Sequence, residues 1–549
     1  MSAEIRGTGV GLGSASGPVA VMAAALEPPS DASSTRTPDD EKAAVAEAVS
    51  AVAAELNDRG ERAGGSARDV LEAQAMMAED PTLEELVAAR IDGGATGEYA
   101  VYAAFAEFAE QLKEVGGYLG ERAADLADVA QRIIAHLRGV PAPGVPEPGH
   151  PFVLVATDLA PADTALLDLD QVLAVVTLEG GPTSHTAILA REKGIVAVVG
   201  AAEADLSDGQ TVIVDAAQDL VIVDPSDAQI AEAEQRAADR EAARNAPITP
   251  GALADGTEVP LLANLGSTDG AAEAIELGAE GVGLFRTEFL FLSSDEAPSV
   301  ADQQESYRQL LGAFAGKKVV VRVLDAGADK PLPFLTDDDE ENPALGRRGI
   351  RALAYREQIL RDQLTALAQA DAETEADLWV MAPMVATVDE AEYFTSLAKE
   401  LGLKTAGVMV EVPSSALLAE DILRQTDFAS IGTNDLVQYT MAADRLLGSV
   451  AHLQSPWHPG VLRLIKMVAD GGSANGKPVG VCGEAAADPL LAVVLVGLGV
   501  DTLSMSPSAL ADVRAELKKY TLEDARRLAE AATAASNADA AKDAARAAA

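Results

Sequence analysis

Thr405-Ala406-Gly407-Val408-Met409-Val410-Glu411-Val412-Pro413 is a short apolar run that stops on a carboxylate and is closed by proline. A continuous β-branched and apolar run of this length, bounded by turn residues, reads as a strand buried on both faces. Seven similar runs surround it: 259–264, 281–286, 318–324, 378–384, 428–433, 478–482 and 500–505. Helix-like stretches separate them. Eight β/α repeats in this length predict a (β/α)8 TIM barrel over 251–535. Active sites of such barrels gather at the C-terminal strand ends.

Those ends carry a coherent inventory. The second run ends Phe285-Arg286-Thr287-Glu288 and the third leads through Arg322 to Asp325. The fourth closes on Pro383-Met384, the fifth on Glu411, the sixth on Gly432-Thr433-Asn434-Asp435, and the seventh on Cys482-Gly483-Glu484. Gln438 and Arg445 follow Asp435 within one or two turns. Paired arginines on neighbouring strands suit a phosphate or carboxylate. Glu411 and Asp435 on adjacent strands offer hard oxygens for Mg2+, which takes one or two carboxylates and completes its shell with substrate oxygens and water. Any one of these residues alone reads equally well as a rim salt bridge; their recurrence at successive strand ends argues for a site. Cys482 is either a packed small apolar residue or a proton donor.

Working outward toward the N-terminus, 226–245 is charged and Ala-rich, which suits a linking helix. Before it, β-like runs at 152–155, 172–176, 195–199 and 211–214 resume a pattern begun before residue 25. Between the two parts lie amphipathic stripes: Val45, Val49, Val52 and Leu56; Leu83, Val87 and Ile91; Val101, Phe105, Phe108 and Leu112; Leu126, Val129, Ile133 and Leu137. They predict a helical bundle inserted into an α/β domain. The Gly-rich opening, Gly9 to Gly17, has no Lys after its glycines and is read as a turn rather than a P-loop.

Of five histidines, His185 stands apart. It lies in Gly180-Gly181-Pro182-Thr183-Ser184-His185-Thr186-Ala187, between a strand and an amphipathic helix. Thr183 or Ser184 can cap that helix, whose free N–H groups and positive end favour a phosphoryl group. From the residues alone, His185 is equally a nucleophile or a loop histidine without chemistry.

The chain has 549 residues, a length that suits three or four domains. Its formal net charge of −46 opposes binding to nucleic acid or anionic lipid. A single Cys excludes a disulfide framework and a Cys-rich metal centre. No run of 18 apolar residues and no basic-then-apolar leader is visible, so membrane insertion is not expected and a cytoplasmic location is.

Gly180 to Arg191 resembles the phosphohistidine motif of the phosphoenolpyruvate-using phosphotransferases. Gly281 to Phe291, Arg322 to Lys330, Glu411-Val412-Pro413, Ile431 to Leu436 with Gln438-Tyr439-Thr440, and Cys482-Gly483-Glu484 resemble the barrel of the same group. Over nearly the whole chain the order resembles enzyme I of the bacterial sugar phosphotransferase system. The resemblance implies a swivelling phosphohistidine α/β domain at 1–25 and 144–225. It implies an inserted helical phosphocarrier-binding domain at 26–143, a helical linker at 226–250, the phosphoenolpyruvate-binding barrel at 251–535 and an Ala-rich tail at 536–549. Carried over by position, His185 would be phosphorylated, supported by Thr164 and Arg191. Arg286, Arg322, Arg348, Asn434, Asp435 and Arg445 would bind substrate, Glu411 and Asp435 would hold Mg2+, and Cys482 would be the general acid. The implied activity moves the phosphoryl group of phosphoenolpyruvate to His185 and on to a histidine-containing phosphocarrier protein, releasing pyruvate, in a homodimer formed through the barrel.

Two positions depart from the family pattern: Pro182 in the His loop, and Gln74, where a His is expected; Arg122 fits. Two other readings stay open. One is a dikinase- or synthase-like enzyme, which needs a large nucleotide-binding domain for which the chain offers no room. The other is a regulatory paralogue that binds partners without turnover, against which the complete set of site residues counts.

Overall fold

The computed structural model describes residues 3–549 apart from 12, 24–25, 64, 116–122, 147, 160–166, 169–170, 182–185, 188–189, 191–193, 203, 292–295, 327–331, 333, 336–339 and 446. The chain divides into two compact units, 1–237 and 238–549.

The first unit is built on a mixed sheet of eight strands among the described residues. They are β1 (Ala3–Arg6), β2 (Thr8–Val10), β3 (Ser14–Val21), β4 (Phe152–Ala156), β5 (Val172–Thr177), β6 (Ala197–Val199), β7 (Thr211–Asp215) and β8 (Leu220–Val223), in spatial order β1-β8-β7-β3-β4-β5-β6-β2. Strand β3 pairs in parallel with β4, although more than a hundred residues separate them. Helices α1 (Pro38–Ala63), α2 (Gly65–Ala78), α3 (Pro81–Asp92), α4 (Gly97–Val115) and α5 (Ala123–Arg138) fill that gap. They share a core of their own: Val45, Val52, Leu56, Leu83, Val87, Ile91, Val101, Phe105, Leu126, Val129 and Ile133 are buried in it. The same stripes stand out in the sequence because one face of each helix is apolar. Helix α2 leaves no such mark, since it contributes Leu71, Ala75 and Ala78, and alanine contrasts weakly with its neighbours. Gln74 on α2 is buried, its Nε2 donating to Asp125 Oδ1 at 3.2 Å. Arg122 lies outside the described residues.

Helix α6 (Asp227–Arg244) occupies the stretch that the charged, Ala-rich sequence marks. In the second unit, β9 (Leu261–Leu265), β10 (Val282–Arg286), β11 (Lys318–Arg322), β12 (Asp377–Ala382), β13 (Thr405–Val410), β14 (Ala429–Gly432), β15 (Val479–Cys482) and β16 (Thr502–Met505) close into an all-parallel barrel. Val282, Val319, Val321, Val380, Val408, Ile431, Val481 and Leu503 are buried in the core that surrounds it. Burial on both faces explains why these strands read as continuous apolar runs rather than alternating ones.

The Ala-rich end forms a helix, Ala538–Ala548, capped by Asn537 Oδ1, which accepts from Ala540 N at 2.8 Å. Ala541 and Ala545 are fully buried in the barrel's core cluster. Ala541→Asp would place an unpaired carboxylate there and should lower unfolding stability by about 2 kcal/mol or more. A thermal melt checks this; an unchanged midpoint would mean that the helix does not dock.

Candidate active site

Arg286 and Arg322 end adjacent barrel strands and face each other in register. They differ in surroundings. Arg286 is half-buried, whereas Arg322 is 5% exposed and already engaged by acids. Its Nη2 lies 2.8 Å from Glu288 Oε1, and its Nη1 lies 3.1 Å from Asp325 Oδ2 and 3.7 Å from Glu411 Oε1. Glu288 Oε1 also accepts from Asp325 N at 3.1 Å, which fixes the loop after β11 against that after β10.

Arg348 comes from the loop before a short helix, Ile350–Tyr355, and is likewise buried. Its Nε and Nη2 straddle Asp325 at 3.3 and 3.2 Å, while Nη1 donates to Asp435 Oδ1 at 2.8 Å and to Tyr439 Oη at 3.3 Å. The planar fork of a guanidinium permits this bridging of two carboxylates. Arg445 approaches the other oxygen of Asp435, Nη1 to Oδ2 3.7 Å, and its backbone N–H donates to Gln438 Oε1 at 3.0 Å. Asn434 and Asp435 open the helix Thr433–Met441, directly after β14.

Glu411 is 1% exposed, and its Oε2 accepts from Met384 N at 2.8 Å. Met384 holds φ +58°, a left-handed conformation rare for a side-chain-bearing residue, at the end of β12. Gly432 makes room for this carboxyl: a Cβ there would lie 2.8 Å from Glu411 Cγ and 2.9 Å from Oε1. Gly432→Ala should therefore displace Glu411 at a cost of about 1–3 kcal/mol. The displacement should also remove most turnover. An active, equally stable alanine variant would contradict the crowding.

Four buried carboxylates, Glu288, Asp325, Glu411 and Asp435, thus share two buried guanidiniums, Arg322 and Arg348. Burial lowers the basicity of Arg322, and Glu288, Asp325 and Glu411 more than reverse this, so its proton is held firmly. For Arg348, Asp325 and Asp435 do the same. Glu411 responds oppositely. Its burial, and the repulsion of Asp435 and Asp325, push it up to about 8 despite Arg322 and Arg348. A carboxyl left short of positive charge among oxygen donors fits a divalent cation. Among the described residues no three His, Cys, Asp or Glu side chains form a complete protein-only cage. Two neighbouring carboxylates, Glu411 and Asp435, are what a hard divalent cation needs when it completes its shell with other oxygens.

Cys482 ends β15 and is 2% exposed. Burial pushes its thiol up to about 11, a shift that the Ser430 hydroxyl opposes. Gly483 follows at φ +138°, a conformation other residues rarely adopt. A Cβ there would also meet Thr433 Oγ1 at 2.7 Å. The barrel mouth therefore collects arginines, acids and a protonated thiol, groups suited to charge neutralisation and proton delivery.

His185, Thr164 and Arg191 lie outside the described residues. The flanks of their loop are described. Gly180 holds φ +92°, and Thr186 Oγ1 donates to Asp158 Oδ1 at 3.1 Å, just beyond β4. Of the remaining histidines, His458 caps the helix Pro459–Asn475, its Nδ1 accepting from Gly460 N at 3.2 Å. His136 and His150 are exposed. Glu288, Asp325 and Tyr439 carry no assigned role in the sequence reading, yet they complete the ion-pair network. The first two stood in plain view at the strand ends, which was their signal.

The model of the PEP-utilising enzyme PEP-binding domain matches residues 240–522. Those of the mobile domain and the N-terminal domain match 148–219 and 6–122. The phosphoenolpyruvate-protein phosphotransferase of Streptomyces coelicolor is 53% identical over 100% of this chain and 99% of its own length. This chain belongs to the phosphoenolpyruvate-protein phosphotransferase family. Two further relatives, those of Geobacillus stearothermophilus and Bacillus subtilis, are each 38% identical. The former covers 95% of this chain and 94% of its own length, the latter 94% and 95%. Membership in this family of PEP-utilising enzymes sets the substrate chemistry against which the barrel mouth is to be read.

Proposed function

We propose that this chain transfers the phosphoryl group of phosphoenolpyruvate to His185 and then to a histidine-containing phosphocarrier protein, releasing pyruvate, as the first step of sugar uptake by a phosphotransferase system. The observation that carries this reading is the joint placement of Arg286, Arg322, Arg348, Glu411, Asp435 and Cys482 at one barrel mouth, in a chain with full-length relatives named for that activity.

Arg286, half-buried at the rim, and Arg445 would bind the substrate's phosphate with Arg322. Phosphoryl transfer passes through a loose transition state whose charge must be neutralised by fixed groups. Arg322 is held in place for that task by Glu288 and Asp325. Arg348 holds Asp435 toward the mouth, and Asn434 would orient the substrate from the same turn. Glu411 and Asp435 would hold Mg2+, which supplies electrophilic neutralisation of substrate oxygens. Neutral His185 would attack phosphorus in line, with Thr164 and Arg191 supporting the phosphoryl group. The Cys482 thiol would give its proton to the enolate carbon to form the methyl group of pyruvate.

The division of labour follows the order of the segments along the chain. Residues 1–25 and 144–225 form the swivelling His module, 26–143 the phosphocarrier-binding insert, 226–250 the linker, 251–535 the barrel and 536–549 the terminal segment. His185 must meet a phosphoryl donor and then an acceptor in turn, which calls for domain motion about the linker. A net charge of −46 suits a basic phosphocarrier. No described helix is long and apolar enough to cross a membrane, and a cytoplasmic homodimer joined through the barrel completes the reading.

The test is turnover by the purified chain with phosphoenolpyruvate and Mg2+. Sustained pyruvate release only when phosphocarrier is added supports the proposal. Turnover that instead requires ATP or inorganic phosphate would favour a dikinase- or synthase-like enzyme. No release under any condition would favour a binding paralogue.

A further inference from the structure

The Cys482 thiol has a side-chain partner that no step above uses. Ser430 sits on β14, and its Oγ lies 3.1 Å from Cys482 Sγ. The strand register sets Ser430 opposite Gly480 and Gly432 opposite Cys482, so the two side chains are diagonal neighbours on one face of the ladder. Both are buried, at 6% and 2% exposure.

One side of the sulfur is apolar, while Glu411, Arg322 and Arg286 act on it electrostatically without donating a hydrogen bond to it. Cys482 belongs to a cluster with Leu284, Val320, Met381, Met409 and Phe428. The thiol also donates to the Ile431 carbonyl oxygen at 3.6 Å, which offers the sulfur no donor in return. Ser504 faces Cys482 on the other neighbouring strand, yet its hydroxyl donates to Asn264 Oδ1 at 2.5 Å. A thiolate formed here would be poorly solvated without a donor aimed at it.

We infer that Ser430 is a positioning residue for protonation of the enolate: its hydroxyl orients the Cys482 thiol and donates to the sulfur as negative charge develops there. The inference rests on the reading of Cys482 as the proton donor. In that step the S–H bond breaks and a C–H bond forms at the enolate carbon. The S–H electron pair stays on sulfur, where the Ser430 O–H meets it. A solvent proton then restores the thiol. Ser430 is buried and its hydroxyl is spent on Cys482, so it acts through the thiol.

The reverse of this step is measurable alone. Full-length protein with Mg2+ and pyruvate in D2O should exchange the methyl protons for deuterium, followed by NMR. Ser430→Ala removes the hydroxyl and a single oxygen's volume. It should slow the maximal exchange rate by about tenfold or more, the worth of a hydrogen bond to a charged group, with the KM for pyruvate unchanged. In a single forward turnover, label should still reach His185 at a rate within about twofold of wild type, as a disrupted barrel would not allow. Exchange within twofold of wild type, or a loss shared with label transfer, overturns the assignment of Ser430. Cys482→Ala separates the two levels. If it exchanges at the wild-type rate, the proton-donor reading fails and the inference with it. If it loses exchange while Ser430→Ala keeps it, only the role of Ser430 falls.

Discussion

Incubated with labelled phosphoenolpyruvate and Mg2+, the wild-type protein should take up about one phosphoryl group per chain in a form stable to base and labile to acid; His185→Ala should take up none. A phosphoramidate has that lability because its nitrogen protonates in acid, whereas a phosphoserine or acyl phosphate does not share the pattern. The loss should be complete rather than graded if His185 is the nucleophile. His458 is occupied as a helix cap, and the exposed His136, His150 and His452 serve as internal controls that should stay unlabelled. Removing a covalent nucleophile eliminates the route rather than slowing it. Pyruvate formation should vanish in parallel, while the thermal midpoint of the barrel stays unchanged. Label retained by His185→Ala at the wild-type level would remove the proposed nucleophile.

The barrel was legible because each of its strands is buried on both sides. Thr405–Val410 and Ala429–Gly432 carry few polar residues until the strand ends, so the boundary between scaffold and site is itself a change in composition. The insert was legible through its large residues, such as Phe105 and Ile133, but α2 was not, because Leu71, Ala75 and Ala78 pack a core without an apolar stripe that stands out. The terminal helix was ambiguous for the same reason: Ala541 and Ala545 bury fully, though alanine reads as neutral in a sequence.

At the site, residue types pointed to the chemistry, and partners did not show. The sequence places Arg286 and Arg322 as equals on adjacent strands, yet only Arg322 is enclosed by Glu288 and Asp325. That asymmetry depends on how the turns just after β10 and β11 aim Glu288 and Asp325 at Arg322 rather than at Arg286, which residue spacing alone does not decide. Arg348 illustrates the same limit. It lies far in sequence from Asp435 and bridges it to Asp325. Such a bridge is visible only once the barrel has closed.

Glu411 supplies the second large effect. Glu411→Gln should lower turnover by about a thousandfold, on the scale of removing a group that stabilises transition-state charge, because the amide neither ionises nor binds a hard cation well. It should also change how stability depends on pH. In the folded chain without added cation, burial and the repulsion of Asp435 and Asp325 raise Glu411 to about 8. An unfolded glutamate ionises near pH 4.3. The folded state therefore binds the proton more tightly than the unfolded state over that interval. Its stabilising contribution is fully present below about pH 4 and is lost as pH rises through about 8. Glu411→Gln mimics the protonated form, so the variant should gain stability relative to wild type as pH rises from 5 to 8.5. If Glu411 holds Mg2+ as proposed, the cation competes with that proton. It should raise the wild-type midpoint more at pH 8.5 than at pH 6, release protons on binding near pH 7, and do neither in the variant. Calorimetric melts at the two pH values, with and without Mg2+, measure all of this. Parallel stability curves for wild type and variant would mean that Glu411 is not the group short of positive charge.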